Sequence, residues 1–420
     1  MTRATRTTRS RRSDRKRRVA CWAACAAAGA AAGLLLLGAG LGVLAAAAAP
    51  CAGLLVGHLF MLAPRGVPVL TYHSVSPDAA WLPWGDEISV RPETLRLHLE
   101  TMRRMGCTII GTRRLVEARL RGERLPRRPV VLHFDDGYLD NWLFALPLLR
   151  EAQAPATFFA SLDFVAPGGA PRPRGTKDHR GYMNWAELAA IEADPLFEVE
   201  PHGIDHGRVP VSTRAVDRLT AANWRRLAWV QWAATRGPKH DWYLAETPPA
   251  VPLGSPVRES EGALAAAALG ESEETYRARV TDHLGRCITA FRERLGIDPA
   301  IFCWPENRVS PAAREIAARL GYAATTGGDA RNTVAEPGEI LSRIHVSDLA
   351  LGFPCAWAER LRLRATVGLF EGNHYWYLVA APMDLTRRLA FRLRRRLAAR
   401  HLDVPRRDIR NASAPPSVTV

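Results

Sequence analysis

Residues 129–142 read PVVLHFDDGYLDNW, and the architecture turns on how they are understood. Pro129 to Phe134 is an apolar, β-branched run with the composition of a strand buried on both faces. Two adjacent carboxylates, Asp135 and Asp136, follow at once, then Gly137. Neighbouring acids repel one another and are depleted from strands. The pair therefore marks a strand end at which negative charge has a purpose. It could cap the helix suggested by LDNWLFALPLL, since Asp is a favoured cap, or it could face a cation.

Moving outward, strand and helix patterns alternate. GVPVLTYHSVSP (66–77) reads as a buried strand, and residues 92–106 as a helix with Leu95, Leu97, Leu99, Met102 and Met105 at apolar positions. CTIIGT, PATFFAS and LFEVEP read as strands, with RRLVEARLRG, DNWLFALPLLREA and MNWAELAAIEAD as the helices between them. After residue 270 the rhythm continues with a long amphipathic helix (273–296), then PAIFCWP, SPAAREIAARLG, YAATT and a final strand EILSRIHVS. This alternation predicts an α/β fold with a mainly parallel sheet, either covered on both faces or closed into a barrel. Function then collects at the C-terminal ends of strands. Residues 207–260 break the pattern with Trp224, Trp229, Trp232, Trp242, Tyr243 and a proline-rich TPPAVPLGSP. They read as an insertion carrying one helix over roughly 214–236 and a loop.

The chain has 420 residues and a formal charge of +15, but that charge is polar in its placement. Residues 1–18 hold nine basic residues against Asp14, and residues 387–410 hold ten arginines against Asp403 and Asp408, which leaves the body near neutral. A nucleic-acid groove needs basic residues spread over the folded body, so that function is excluded. No Asp, Glu, Lys or Arg occurs from Val19 to Pro64, enough for a membrane-spanning helix. The basic flank places the N-terminus in the cytoplasm, so a single span puts the rest of the chain outside the cytoplasmic membrane. Two alternatives stand beside it. One is a cleaved signal peptide ending in AAAAAPC. The other is a helical hairpin that crosses twice and returns the body to the cytoplasm. The seven cysteines show no paired metal-ligand spacing and indicate no disulfide framework. Leu385, Leu389, Leu393 and Leu397 recur among arginines near the C-terminus, as on a helix lying on anionic lipid or packed on the body. Residues 411–420 have a disordered composition, and no protein partner is indicated.

Three fragments carry chemistry: HFDDG (133–137), HGIDH (202–206) at a second strand end, and FCWPEN (302–307) after a third apolar run. Two histidines four apart can face one ion if the loop turns between them. A carboxylate from a neighbouring strand completes a two-His, one-carboxylate set with an open position, the pattern of a hydrolytic metal site. The twin aspartates then have different tasks, one binding the metal and one accepting a proton beside it. Zinc is the first candidate, and cobalt or nickel suits the same donors.

HFDDG, HGIDH and CWPEN stand in the order of the three motifs of the polysaccharide deacetylases, the NodB-homology class of carbohydrate esterase family 4, which this chain resembles over about residues 66–350. VPVLTYHSV and EETYRARV followed by GIDPAIFCWP are similar to the poly-N-acetylglucosamine deacetylase branch. The resemblance implies a distorted, incomplete (β/α) barrel and hydrolysis of the N-acetyl group of an amino sugar in a surface polysaccharide or lipid-linked glycan. It implies Asp135 as general base, Asp136, His202 and His206 as metal ligands, and the backbone N–H near Glu306 as oxyanion donor. His345 is the candidate general acid. Trp304, Trp224 and Trp232 are candidate sugar contacts. The chain departs from the family at His133, Cys303 and Glu306-Asn307. Cys303 stands where the family has an Arg that orients the base, and Arg343 on LSRIHV is the expected substitute. The altered third motif leaves open an inactive, glycan-binding relative. A deformylase acting on a lipid-linked aminosugar is the other rival.

These readings divide the chain into a basic tail (1–18), an anchor region (19–64), a catalytic domain (65–350) with its insertion, and a C-terminal extension (351–420).

Overall fold

The structure, a computed structural model, describes residues 10–401, with side chains through residue 394. The first half of the basic tail, the side chain of Leu397 and the stretch 411–420 lie outside what the structure describes.

Six strands form the larger sheet. β1 (Val69–Tyr72), β3 (Pro129–Phe134), β4 (Ala156–Ala160) and β5 (Phe197–Pro201) lie side by side in parallel, β11 (Ile344–His345) flanks β1, and β2 (Thr108–Ile109) pairs with the start of β3. A second sheet has the order β10 (Ile340–Ser342), β9 (Ala324–Gly328), β8 (Ile301–Phe302), also parallel. The two sheets meet at two seams rather than in one continuous ladder. At one seam Cys303 N–H donates to Pro201 O at 3.0 Å. At the other, Arg343 links β10 directly to β11.

Alternation along the strands builds two apolar layers. Leu70, Leu132, Phe134 and Phe158 face one layer with α4 (Pro92–Arg104), α6 (Leu146–Glu151), α7 (Trp185–Glu192), α9 (Glu273–Leu295) and α11 (Ala356–Phe370). Val69, Val131 and Phe159 point the other way and meet Ile301, Ala324 and Leu341 of the small sheet. Leu115 of α5 (Thr112–Arg121) joins that second cluster, while α10 (Pro311–Arg319) packs on α9. Helix ends follow local chemistry. Asn184 and Glu187 form a capping box at α7, Ser272 caps α9, and α9 stops at Gly296 in the left-handed region.

Two expectations are corrected. The insertion is not mainly helical, because β6 (Arg208–Arg218) pairs antiparallel with β7 (Pro256–Gly262) and α8 is only Trp229–Ala234. VPVSTRAV is β-branched and alternating, and its partner lies some forty residues on, so the pairing is invisible to a local reading. The uncharged stretch, expected as one helix, folds as two, α1 (Arg11–Gly38) and α2 (Val43–Met61), each long and apolar enough to cross a membrane by length and composition. The break falls at GAGLG (38–42), where Gly40 and Gly42 take φ of 73° and 85°. These values suit glycine and end a helix. The remaining helices are α3 (Gly85–Ile88), a single turn, and α12 (Tyr377–His401).

Candidate active site

Asp135 and Asp136 leave β3 in different directions because the backbone turns between them. Asp135 N–H still donates to Tyr72 O of β1 at 3.0 Å, while Asp136 has φ 73° and Gly137 φ 71°. His206 likewise sits at φ 51°. Non-glycine residues with such backbone store strain that the surrounding structure must hold, a feature concentrated at functional sites.

The loop after β5 is built to turn His206 back over His202. His202 N–H donates to Ala160 O at 2.8 Å, and Gly203 has φ 80° beside His283. His283 Nε2, from α9, accepts from Ile204 N–H at 2.8 Å. Asp205 Oδ1 accepts from Gly207 N–H at 2.9 Å, which fixes the loop's tip. Asp205 is thus a loop residue, as its position suggests.

The turn brings three side chains to one point. Asp136 Oδ1 lies 3.2 Å from His202 Nε2 and 3.0 Å from His206 Nε2. Asp136 Oδ1 and His206 Nε2 nevertheless lack hydrogen-bond partners of acceptable geometry, although both atoms are buried. His202 Nδ1 lies 2.9 Å from Cys303 O, a bond it can only donate, which leaves the Nε2 lone pair free. Lone pairs that converge without a proton between them fit a cation, and the carbonyl behind His202 is the usual orienting contact of a metal-bound imidazole. A second cluster, Asp135, His202 and Cys303, also draws donor atoms together. It fits an ion less well, because both Asp135 oxygens are already engaged.

That engagement is the cation the third motif lacks. Arg343 Nη1 donates to Asp135 Oδ1 at 2.8 Å and Oδ2 at 2.7 Å, and both side chains are buried. Asn307 Oδ1 accepts from Arg343 Nε at 3.3 Å and from Gly327 N–H at 2.9 Å. Asn307 therefore steadies the guanidinium, a role that its place at the end of the third motif did not reveal. Burial opposes charge on Asp135, but Arg343 and the neighbouring imidazoles outweigh it and hold the carboxyl at about 2. For Asp136 burial is likewise overcome, by His206 and His202, and its carboxyl lies well below the usual range.

These groups line a cavity of about 710 Å³. Trp84, Phe164, Tyr138, Tyr182, Trp229 and Trp232 form its apolar wall. Arg226 of the insertion reaches Pro83 O at 3.0 Å and pairs with Glu87 of α3, clasping the insertion over the mouth. Glu306 and Asn307 line the opposite side with φ of 54° and 55°.

His345 opens onto the cavity, and its Nε2 donates to Glu87 O, 2.8 Å away. Desolvation by the surrounding protein, then the neighbouring His73, holds its pKa down at about 4. His73 is 3.9 Å from Asp135 Oδ2 and stacks edge-on against His345, so it belongs to the site. His133 does have a structural role, buried with Nε2 2.9 Å from Thr112 Oγ1.

Of the three expected sugar contacts, only Trp232 reaches the cavity. Trp224 is buried against Leu219 and Val257, and Trp304 is buried against Phe302 in the core over α9. The helix expected over 214–236 would have put Trp224 and Trp232 on one face. The chain instead turns irregularly over residues 221–228, and the two rings part.

Residues 122–246 match the family model described as polysaccharide deacetylase. A poly-β-1,6-N-acetyl-D-glucosamine N-deacetylase of Escherichia coli (strain K12) is 25% identical over 263 residues, 61% of this chain and 33% of that protein. The chain thus spans about a third of the length of that curated relative. Among solved structures, a de-N-acetylase from Aggregatibacter actinomycetemcomitans aligns with a TM-score of 0.49 at 18% identity, covering 67% of this chain and 95% of the other. The BpsB deacetylase domain from Bordetella bronchiseptica gives a TM-score of 0.48 at 21% identity, covering 68% and 98%. The segment similar to the polysaccharide deacetylase family contains Asp135, Asp136, His202 and His206, while Arg343 and His345 lie beyond it.

Proposed function

We propose that the chain removes the N-acetyl group from an N-acetylated amino sugar of a glycan, in a divalent-metal-dependent hydrolysis. The observation that carries this reading is the convergence of Asp136, His202 and His206 with Asp135, held ionised, beside them. Asp136, His202 and His206 would hold the ion, zinc first and cobalt or nickel next. When bound, such an ion supplies a Lewis acid for the acetyl carbonyl and a water acidic enough to attack it.

The chain's own residues do the rest. Asp135 accepts the proton of the attacking water, and Arg343 orients its carboxylate through one nitrogen shared between both oxygens. Asn307 positions Arg343. The backbone N–H at Glu306, on a turn at the cavity wall, is the proposed donor to the developing oxyanion. His345, with His73 against it, is the proposed carrier of a proton to the departing amine. Its depressed pKa means that it must receive that proton during turnover rather than hold it beforehand. Trp232, with Trp84 and Trp229, offers rings on which sugar faces stack. The presence of Arg343 on Asp135 favours an active enzyme over an inactive relative. The apolar helices α1 and α2 and the exposed Leu385, Leu389 and Leu393 on α12 support attachment to a lipid bilayer.

The test is metal analysis of the purified full chain combined with acetate release from a β-1,6-linked N-acetylglucosamine oligomer and from a chitooligosaccharide. About one zinc-site equivalent of metal per chain, and acetate release lost on chelation and restored by metal, is the expected result. Acetate release that persists in metal-free protein would exclude the reading.

Arg343→Lys supplies a further check. Lysine can reach Asp135 as a point charge but cannot keep the planar Nε contact to Asn307. We expect kcat to fall about tenfold with KM nearly unchanged, the pattern of a positioning residue. Full turnover in this variant would remove Arg343 from the machinery.

A further inference from the structure

The uncharged N-terminal stretch does more than supply apolar length. α1 and α2 pack antiparallel with their backbones in contact at four glycines. A Cβ added at Gly29 would stand 2.7 Å from Ala49 O, at Gly33 2.6 Å from Ala46 O, and at Gly53 2.5 Å from Cys25 O. At Gly57 it would meet Trp22 at 2.9 Å. Small residues four apart on both helices are the means by which helices associate where no hydrophobic effect operates between them. The outward faces carry Leu35, Leu44, Leu55 and Leu59, each more than 70% exposed, a surface that water would not leave uncovered. The nineteen residues of α2 give about 28 Å of helix, close to the thickness of a hydrocarbon core.

The second, independent observation is where the hairpin is rooted. The start of α1 lies on the catalytic body. Arg11 N–H donates to Asp329 O at 2.8 Å, and the Arg11 guanidinium donates to Arg343 O. Asp14 stands 3.9 Å from both Arg331 and His374. The end of α2 lies on the same face. Ala63 N–H donates to Gly372 O at 2.9 Å, and His58 meets the Tyr375 hydroxyl at 2.9 Å. Arg18 ties the two roots together by donating to Phe60 O at 3.1 Å and Leu62 O at 3.3 Å. A single span would put Arg11 and Asp14 across the bilayer from all of these partners.

We infer that α1 and α2 form a two-pass hairpin in the lipid bilayer, with the tip at residues 39–42 on the far side and both the N-terminal segment and the catalytic domain on the near side. Nine basic residues among the first 18 identify the near side as the cytoplasm. The expectation of an extracytoplasmic catalytic domain is thereby reversed. Resting on the hydrolytic reading above, this placement selects the lipid-linked class of glycan, presented at the inner leaflet, as the substrate.

The experiment uses the full chain with one epitope tag at each terminus, in right-side-out membrane vesicles treated with protease. Both tags should survive until detergent is added, and both should then be lost. Loss of the C-terminal tag with survival of the N-terminal tag would establish a single span and overturn the inference. Loss of both without detergent would also overturn it, by placing the near side outside. The readout needs no substrate, so it can fail while the hydrolytic reading stands, and the reverse.

Discussion

Asp135→Asn is expected to lower deacetylation by roughly 10²- to 10⁴-fold while leaving metal content unchanged. The amide copies the carboxylate's shape but cannot take a proton. Metal should remain because its three candidate donors sit on Asp136, His202 and His206, and both oxygens of Asp135 face Arg343 instead. The same substitution has a second consequence. Arg343 is 8% exposed and would lose its counter-charge. Breaking a buried pair by removing one partner costs about 3–5 kcal/mol, so Tm should fall as well. Asp135→Asn combined with Arg343→Met removes both charges. It should recover much of the lost stability and none of the activity, which separates the chemical role of Asp135 from its structural one. A single variant that works at close to the wild-type rate would mean that some other group takes the proton.

Asp136→Asn is the complementary case. Asn tolerates the left-handed backbone at φ 73°, so the loop should keep its form. What disappears is the one anionic donor in the cluster. Bound metal, measured by elemental analysis, should drop to background, and activity should fall at least about a thousandfold. A readout independent of catalysis follows from mass action. Added zinc should raise the Tm of the wild-type chain and leave that of the variant where it is. Zinc stabilising both proteins equally would place the ion elsewhere.

Much of this site could be read from residues alone, for a definite reason. HFDDG and HGIDH each sit at the end of an apolar strand, and parallel sheets deliver such ends to one edge. Two short motifs 65 residues apart therefore suffice to place Asp136 against His202 and His206. Arg343 could be anticipated because Cys303 left a cation missing. Asn307 could not, since its side chain acts only through two partners, Gly327 and Arg343, that the fold alone brings near. The aromatic wall was half legible. Tryptophan density marked the insertion as a source of candidate sugar contacts, but which rings face the cavity depends on the β6–β7 pairing and on the irregular turns before α8. Trp84, outside the insertion, gave no signal because two tryptophans in a short loop (Trp81 and Trp84) carry no periodicity. The helical hairpin hid in plain composition. Forty-six residues without charge allow one helix or two, and only the structure shows the break between α1 and α2 and the glycine contacts that pack them together.

The position of Arg343 has a consequence for the protein's biosynthesis. Asp135, the proposed proton acceptor, is made early and Arg343 208 residues later, at the junction of β10 with the last strand of the sheet, β11. While the ribosome is still extending the chain, the motif aspartates and histidines have all emerged, yet the pocket that must bury Asp135 has no positive charge to put there. On the mechanism proposed above, competence is withheld until translation has passed Arg343, and a nascent polypeptide halted before it would carry all three motifs without the cation that orients Asp135.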